Sequence, residues 1–174
     1  LFASDSFKGT LSSQKTAELL TQSARETFPD CQCDSITVAD GGEGTTDAVL
    51  AATNGKKISV QVHGPLWENI TSNYGMLDET RAVMEMAVAS GLPLVPEEKR
   101  DPRYTTSYGT GEMIADALRR GFRDISIAIG GSATNDGGIG CIRALGGKFL
   151  DENNQELMGC GEDLMKIRKI DLSG

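Results

Sequence analysis

Apolar and polar positions along this chain switch between a period of two and a period near 3.6, and the switches predict its elements. Leu1-Phe2-Ala3 reads as the tail of a buried strand, followed by a polar loop from Ser4 to Thr10. Ala17, Leu20, Ala24 and Phe28 then recur at helical spacing, with Ser12 or Ser13 as the cap and Pro29 after the end. Ile36-Thr37-Val38-Ala39 is a second short strand running into Asp40 to Thr46, and a helix over 47–53 closes at Gly55. Strand, loop and helix thus follow one another twice, the pattern of an α/β sheet.

Ile58, Val60 and Val62 alternate as a further strand, which Gly64-Pro65 breaks. Residues 70–77 and 81–87, about a turn at Asp78-Glu79-Thr80, predict an antiparallel hairpin, and a second subdomain is expected to begin near Pro65. Pro93, Pro96 and Pro102, with the charged run from Glu97 to Asp101, predict an exposed irregular connection. A helix ending near Arg120 follows, with Ile114, Ala117 and Leu118 on its apolar side. Ile125, Ile127 and Ile129 alternate as a strand, 141–145 as a short helix and 148–151 as another strand, with the remainder read as turn, loop and surface.

The chemistry concentrates in the loops. Gly130 to Gly140 reads Gly-Gly-Ser-Ala-Thr-Asn-Asp-Gly-Gly-Ile-Gly, a poor packing unit but a good ligand loop. Glycine lets backbone amides converge on an anion, Ser132, Thr134 and Asn135 can donate hydrogen bonds, and Asp136 can accept a proton or face a metal. A glycine-rich turn with capping side chains is the plainer alternative. Lys8 sits beside Asp5 and Ser6 between a strand end and a helix start, where open α/β sheets bind ligands. Asp40 and Glu43, with Gly41 and Gly42 between them, could share a divalent cation or divide into base and metal contact; a turn and a helix-dipole contact remain the alternative. Thr110 and Gly111, at a predicted helix start, also suit an anion, although capping accounts for Thr110 equally well.

Composition narrows the partner. With 17 basic against 25 acidic residues, the net charge of −8 and the absence of a Lys/Arg cluster argue against nucleic acid and for a small substrate. Cys31, Cys33, Cys141 and Cys160 lack CxxC spacing, which predicts reduced packing thiols and a cytoplasmic protein. No apolar run reaches membrane-span length, so no membrane partner is expected. P-loop, complete GxGxxG and GxSxG motifs are absent, and His63, alone in a strand, reads as structural, as Trp67 reads as packing. Anion-friendly loops with Lys8, Asp40, Glu43 and Asp136 suit phosphoryl transfer, which depends on positioning and charge neutralisation.

Asp5-Ser6-Phe7-Lys8-Gly9, Ala39 to Thr45, Glu85-Met86-Ala87 with Ser90-Gly91-Leu92, Thr105 to Glu112, and Gly130 to Gly138 together resemble, in order along the whole chain, the bacterial glycerate kinase family. Ser4 stands where that family usually has proline. The resemblance implies ATP- and Mg²⁺-dependent phosphorylation of D-glycerate to 2-phosphoglycerate. It also implies two α/β domains: residues 1–65 as the N-terminal part of a Rossmann-like (flavodoxin-like) domain, and 66–174 as part of a second α/β domain with a mixed sheet. Family members are longer, so this chain is expected to be an N-terminal portion, its own activity in question. On this reading Lys8, Asp40 and Asp136 are the catalytic candidates, and Asp40 and Glu43 the metal ligands. Ser6, Gly41, Gly42, Thr110, Gly111, Gly130, Gly131, Ser132, Thr134 and Asn135 are the substrate or phosphate contacts. A non-catalytic carboxylate or phosphate binder and a kinase for a related hydroxy acid remain alternatives; a homodimer stays open.

Overall fold

Ser12 opens the first helix, α1 (Ser13–Thr27), by accepting the Lys15 amide on its side chain at 3.1 Å in the computed structural model, which describes residues 1–7 and 10–174. The helix crosses between two extended segments that meet in parallel at Phe2 and Ser35. Two hydrogen bonds make that contact: Phe2 N–H to the Asp34 carbonyl, and Ile36 N–H to the Phe2 carbonyl, both 2.8 Å. The strand expected over 36–39 does not grow from it. Ile36 and Val38 are exposed, and an extended segment becomes a strand only where a neighbour takes its backbone groups. The same holds for the apolar face predicted on α1: Leu20 and Phe28 are exposed, and Thr16 is the buried residue of this helix.

Gly44, at φ 90°, is the N-cap of α2 (Thr45–Thr53), and Asn54 rather than Gly55 takes the left-handed closing position. Next, β1 (Lys56–His63) pairs antiparallel along its full length with β2 (Asn69–Met76), from Lys56 opposite Met76 to His63 opposite Asn69. The sheet therefore continues across the Gly64-Pro65 break. That break is a hairpin connection closed by Gly64 N–H to the Glu68 carbonyl at 2.7 Å, with Pro65 buried inside it.

The hairpin expected over 70–87 is also only partly formed. β3 (Arg81–Glu85) meets β2 antiparallel only at Gly75–Val83 and Met76–Ala82, then runs parallel to β4 (Asp124–Ala128) from Arg81–Asp124 to Glu85–Ala128. A short helix, α3 (Ala87–Ser90), fills the space where the strands diverge, and the Ser72 hydroxyl donates to the Val88 carbonyl there at 2.9 Å. The result is a mixed sheet of order β1-β2-β3-β4, as expected for the α/β class.

Helix α4 (Tyr108–Arg119) covers this sheet, burying Met113 and Ala117 against Val62, Tyr74, Met84 and Phe122. Residues of this core are 0–4% exposed, and burying each large one is worth about 1.5–3 kcal/mol. After α5 (Ile139–Ala144), β5 (Lys148–Leu150) pairs with β6 (Lys169–Asp171), a strand that lay in the expected loop and surface region. Ile139, Phe149 and Leu157 form a second, smaller core beneath it. Among the described residues, no helix is long and apolar enough to cross a membrane.

Candidate active site

Two glycine-rich loops meet at the end of the sheet. The Gly130 amide donates to the Gly41 carbonyl at 2.9 Å, and a Cβ on Gly130 would lie 2.8 Å from both that oxygen and the Gly42 Cα. Only glycine permits this approach, so the two loops singled out in the sequence do share one place. The contact also spends the Gly130 amide, which was expected to face a ligand.

On one side stands the loop from Asp40. Asp40 and Glu43 are exposed, and one Asp40 oxygen accepts the Gly42 amide at 2.9 Å, so that amide is not available to an anion either. The start of α2 is occupied from within the fold. Glu85, 4% exposed at the end of β3, accepts the Thr46 amide at 2.7 Å and the Gly44 amide at 3.3 Å. A carboxylate at a helix start satisfies orphan donors and the dipole together, which leaves the neighbouring carboxylates, rather than the helix end, as the outward chemistry. Sequence reading used Glu85 only as part of a resemblance; a carboxylate closing the apolar run Ala82-Val83-Met84 is the signal that it is buried for a purpose.

On the other side runs the loop after β4. Its backbone is laced to α3 and the turn that follows: Leu92 N–H donates to the Gly131 carbonyl and Ala133 N–H to the Ser90 carbonyl, each at 2.9 Å. Gly131 (φ 75°), Gly137 (φ 62°) and Gly138 (φ 80°) take left-handed conformations that make the loop's turns. The Ser132 and Thr134 hydroxyls lie 2.8 Å apart and half-buried, and Asn135 is exposed.

Asp136 is closed into the fold. It is 2% exposed, and its carboxylate accepts from Ser107 N–H (2.8 Å), the Ser107 hydroxyl (2.7 Å), Gly138 N–H (3.0 Å) and Gly140 N–H (3.3 Å). Four donors surround its carboxylate, so it ties the loop to the start of α4. Thr110 and Gly111 are likewise inside the fold, because α4 starts at Tyr108, earlier than expected. Thr110 shares a 2.8 Å hydrogen bond with the buried Ser90 hydroxyl, and Gly111 lets α4 approach the Cys141 backbone of α5.

Of the first loop, Lys8 lies outside the described residues. Ser6 buries its hydroxyl oxygen without a hydrogen-bond partner among the described residues, as does Thr46. Such orphaned groups are uncommon and cost about 1–3 kcal/mol each. His63 is held structurally, as expected: Glu112 accepts its backbone N–H at 2.6 Å and stands 3.0 Å from its Nδ1. Trp67 and Tyr108 pack around its ring.

Two of the thiols are held in the protonated form. Burial, with help from the Asp163 carboxylate, pushes the Cys160 thiol up to about 11, and burial with Asp136 pushes Cys141 up. Cys160, Glu162 and Asp163 come close together, but Lys166 already bridges the two carboxylates at 3.1 Å.

Cavities open at two places that bear on the site. The larger, about 670 Å³, lies between α1 and residues 35–37 and contains none of the predicted site residues. The smaller, about 280 Å³, lies against the Gly130 loop, where Ser132 and Thr134 wall it with Arg100, Thr105, Leu92 and Val95.

The class defined by this arrangement is a mixed-sheet α/β protein with facing glycine-rich loops, carboxylates on one and hydroxyls on the other. Residues 1–174 match the glycerate kinase family throughout, and the chain belongs to that family. It is 50% identical to the glycerate 2-kinase of Escherichia coli K12 and 47% identical to a glycerate kinase of Bacillus subtilis 168, in each case over all of this chain and 46% of the relative. Among solved structures, it superposes with a TM-score of 0.82, at 44% identity, on a Salmonella typhimurium LT2 protein assigned as glycerate kinase 2. That match covers 99% of this chain and 47% of that one. The chain thus spans about half the length of these relatives.

Proposed function

We propose that the full-length protein phosphorylates D-glycerate with ATP and Mg²⁺, giving 2-phosphoglycerate. The observation carrying this reading is the 2.9 Å contact between Gly130 and Gly41, which joins the carboxylate loop to the hydroxyl loop. Transfer of a phosphoryl group asks for that pairing: an acceptor held by hydrogen bonds beside carboxylates that manage a proton and a metal. Asp40 and Glu43 offer hard oxygen donors of the kind Mg²⁺ takes, and the metal would supply neutralisation of phosphate charge. Asp40 is the candidate to accept the proton of the attacking hydroxyl, which bonds to the γ-phosphorus as the bond to the ADP oxygen breaks. Ser132, Thr134 and Asn135 orient the acceptor. Lys8 is the candidate cation for phosphate or carboxylate. The orphaned hydroxyls of Ser6 and Thr46 support a ligand near these loops, since buried donors are seldom left unmatched.

The test is ADP release by the full-length protein with D-glycerate, ATP and Mg²⁺, followed by identification of the product. Asp40→Asn should lower kcat by about 10²–10⁴-fold, the usual worth of a positioned general base. Turnover within a few-fold of wild type would remove Asp40 from the chemistry. Glycerate binding that needs neither ATP nor Mg²⁺, without turnover, would instead indicate a binding module.

A further inference from the structure

We infer that the cavity against the Gly130 loop is the seat of the acid's carboxylate, and that Arg100 is the residue that recognises it. This rests on the proposed small-acid kinase reading and adds the part of the site that reading left unassigned. Arg100 lies in the charged run expected to be an exposed connection; it is exposed there, and it lines the 280 Å³ cavity together with Ser132 and Thr134.

Three features define the ligand. The first is charge. Among the described residues Arg100 has no carboxylate within ion-pair distance, so in a chain of net charge −8 its positive charge is left uncompensated at the cavity. Its neighbour Asp101, which also lines the cavity, is held by Arg103, whose Nε stands 3.0 Å from both carboxylate oxygens. That pairing keeps the Asp101 carboxyl below the usual range and its charge compensated. The second is geometry. Arg100 Nε donates to the Val95 carbonyl at 3.2 Å, anchoring the guanidinium while its outer nitrogens remain for a planar oxyanion. The third is size. A cavity of 280 Å³ is below the roughly 300–1,000 Å³ of sites for drug-sized ligands, which suits a small acid and not a nucleotide. Leu92 and Val95 supply apolar wall for a short carbon skeleton. Two residues before Ser132, the same loop makes the Gly130 contact with the Asp40 loop, so an acid anchored here extends along the loop that leads to the carboxylates.

The test compares wild-type, Arg100→Gln and Arg100→Lys full-length proteins. Arg100→Gln should raise KM for D-glycerate about 10- to 100-fold, the worth of a charge-assisted hydrogen bond, while KM for ATP and the Tm stay near wild type. Arg100→Lys, which keeps the charge and loses the fork, should fall between. An unchanged KM for glycerate in Arg100→Gln, or equal rises in both KM values, would overturn the assignment while leaving the kinase reading intact. If the wild-type protein shows no turnover, the kinase reading fails, and calorimetry then decides the cavity separately. Binding of D-glycerate, but not of neutral glycerol, by wild type and its loss in Arg100→Gln support the carboxylate seat. Equal binding by both proteins, or none by wild type, overturns it.

Discussion

At the scale of single residues, chemistry and architecture divide between neighbours of the same type. Asp40 and Asp136 are both aspartates in glycine-rich loops. One is exposed with one oxygen taken by the Gly42 amide, whereas the other is buried and filled by four donors. Composition treats them alike; burial separates the exposed carboxylate from the tie. Gly130 shows how little tolerance the seam has. A methyl group there would stand 2.8 Å from two backbone atoms of the facing loop, neither of which can rotate away. Gly130→Ala should therefore cost about 1–3 kcal/mol of stability by urea unfolding of the full-length protein, and separate the loops enough to reduce activity. Wild-type stability and turnover in that variant would mean the loops are not in contact.

Among elements, α4 is the organiser, and its grip on the sheet depends on pH. Tyr74 of β2 donates its hydroxyl to Asp116 of α4 at 2.8 Å, and Arg120 donates to the same oxygen at 2.7 Å. Burial opposes ionisation of Asp116, but the Arg120 and Tyr74 hydrogen bonds together outweigh it and hold the carboxyl below its ordinary value. Asp163 behaves alike: burial is outweighed by Lys166 and by the Cys160 and Gly159 amides. A depressed native pKa means the unfolded chain binds more protons in acid. The stabilisation is therefore complete above the unfolded value, about 4, and is lost as pH falls below it. The Tm of the full-length protein should decline from pH 5 downward, and Asp116→Asn should start lower at pH 7 and lose part of that slope. An identical acid slope in the variant would show that this contact contributes nothing to folding.

For the whole molecule, the apolar surface is unevenly closed. The sheet and α4 bury a continuous core, while Leu19 (44%), Phe28 (65%), Ile36 (55%) and Ile129 (74%) remain exposed on α1, the segment after it and the end of β4. Exposed apolar side chains in this number favour association. The isolated 174-residue chain should bind the dye ANS more strongly than the full-length protein, and Phe28→Ser with Ile129→Ser should reduce that binding. Equal dye fluorescence from the two proteins would mean these residues are covered in the isolated chain.

What the sequence determined by itself was local. The Ser12 cap, the existence of α2, the period-two strands β1 and β4 and the glycine-rich loops were legible because each depends on residues within a turn or two. The α/β class followed from their order. Tertiary structure decided everything that needed a partner from far along the chain. β1 joins β2 across a break that looked like a boundary, β3 leaves its hairpin for β4, and β6 emerges from apparent surface. Thr110 and Gly111 vanish into α4, Asp136 is consumed by Ser107, and Glu85 takes the start of α2 from 39 residues away. Arg100, legible only as a charge in a loop, becomes the wall of a cavity. The reason is physical: a side chain's chemistry is written in its type, but whether that chemistry is spent or available depends on which donors and acceptors the fold brings against it.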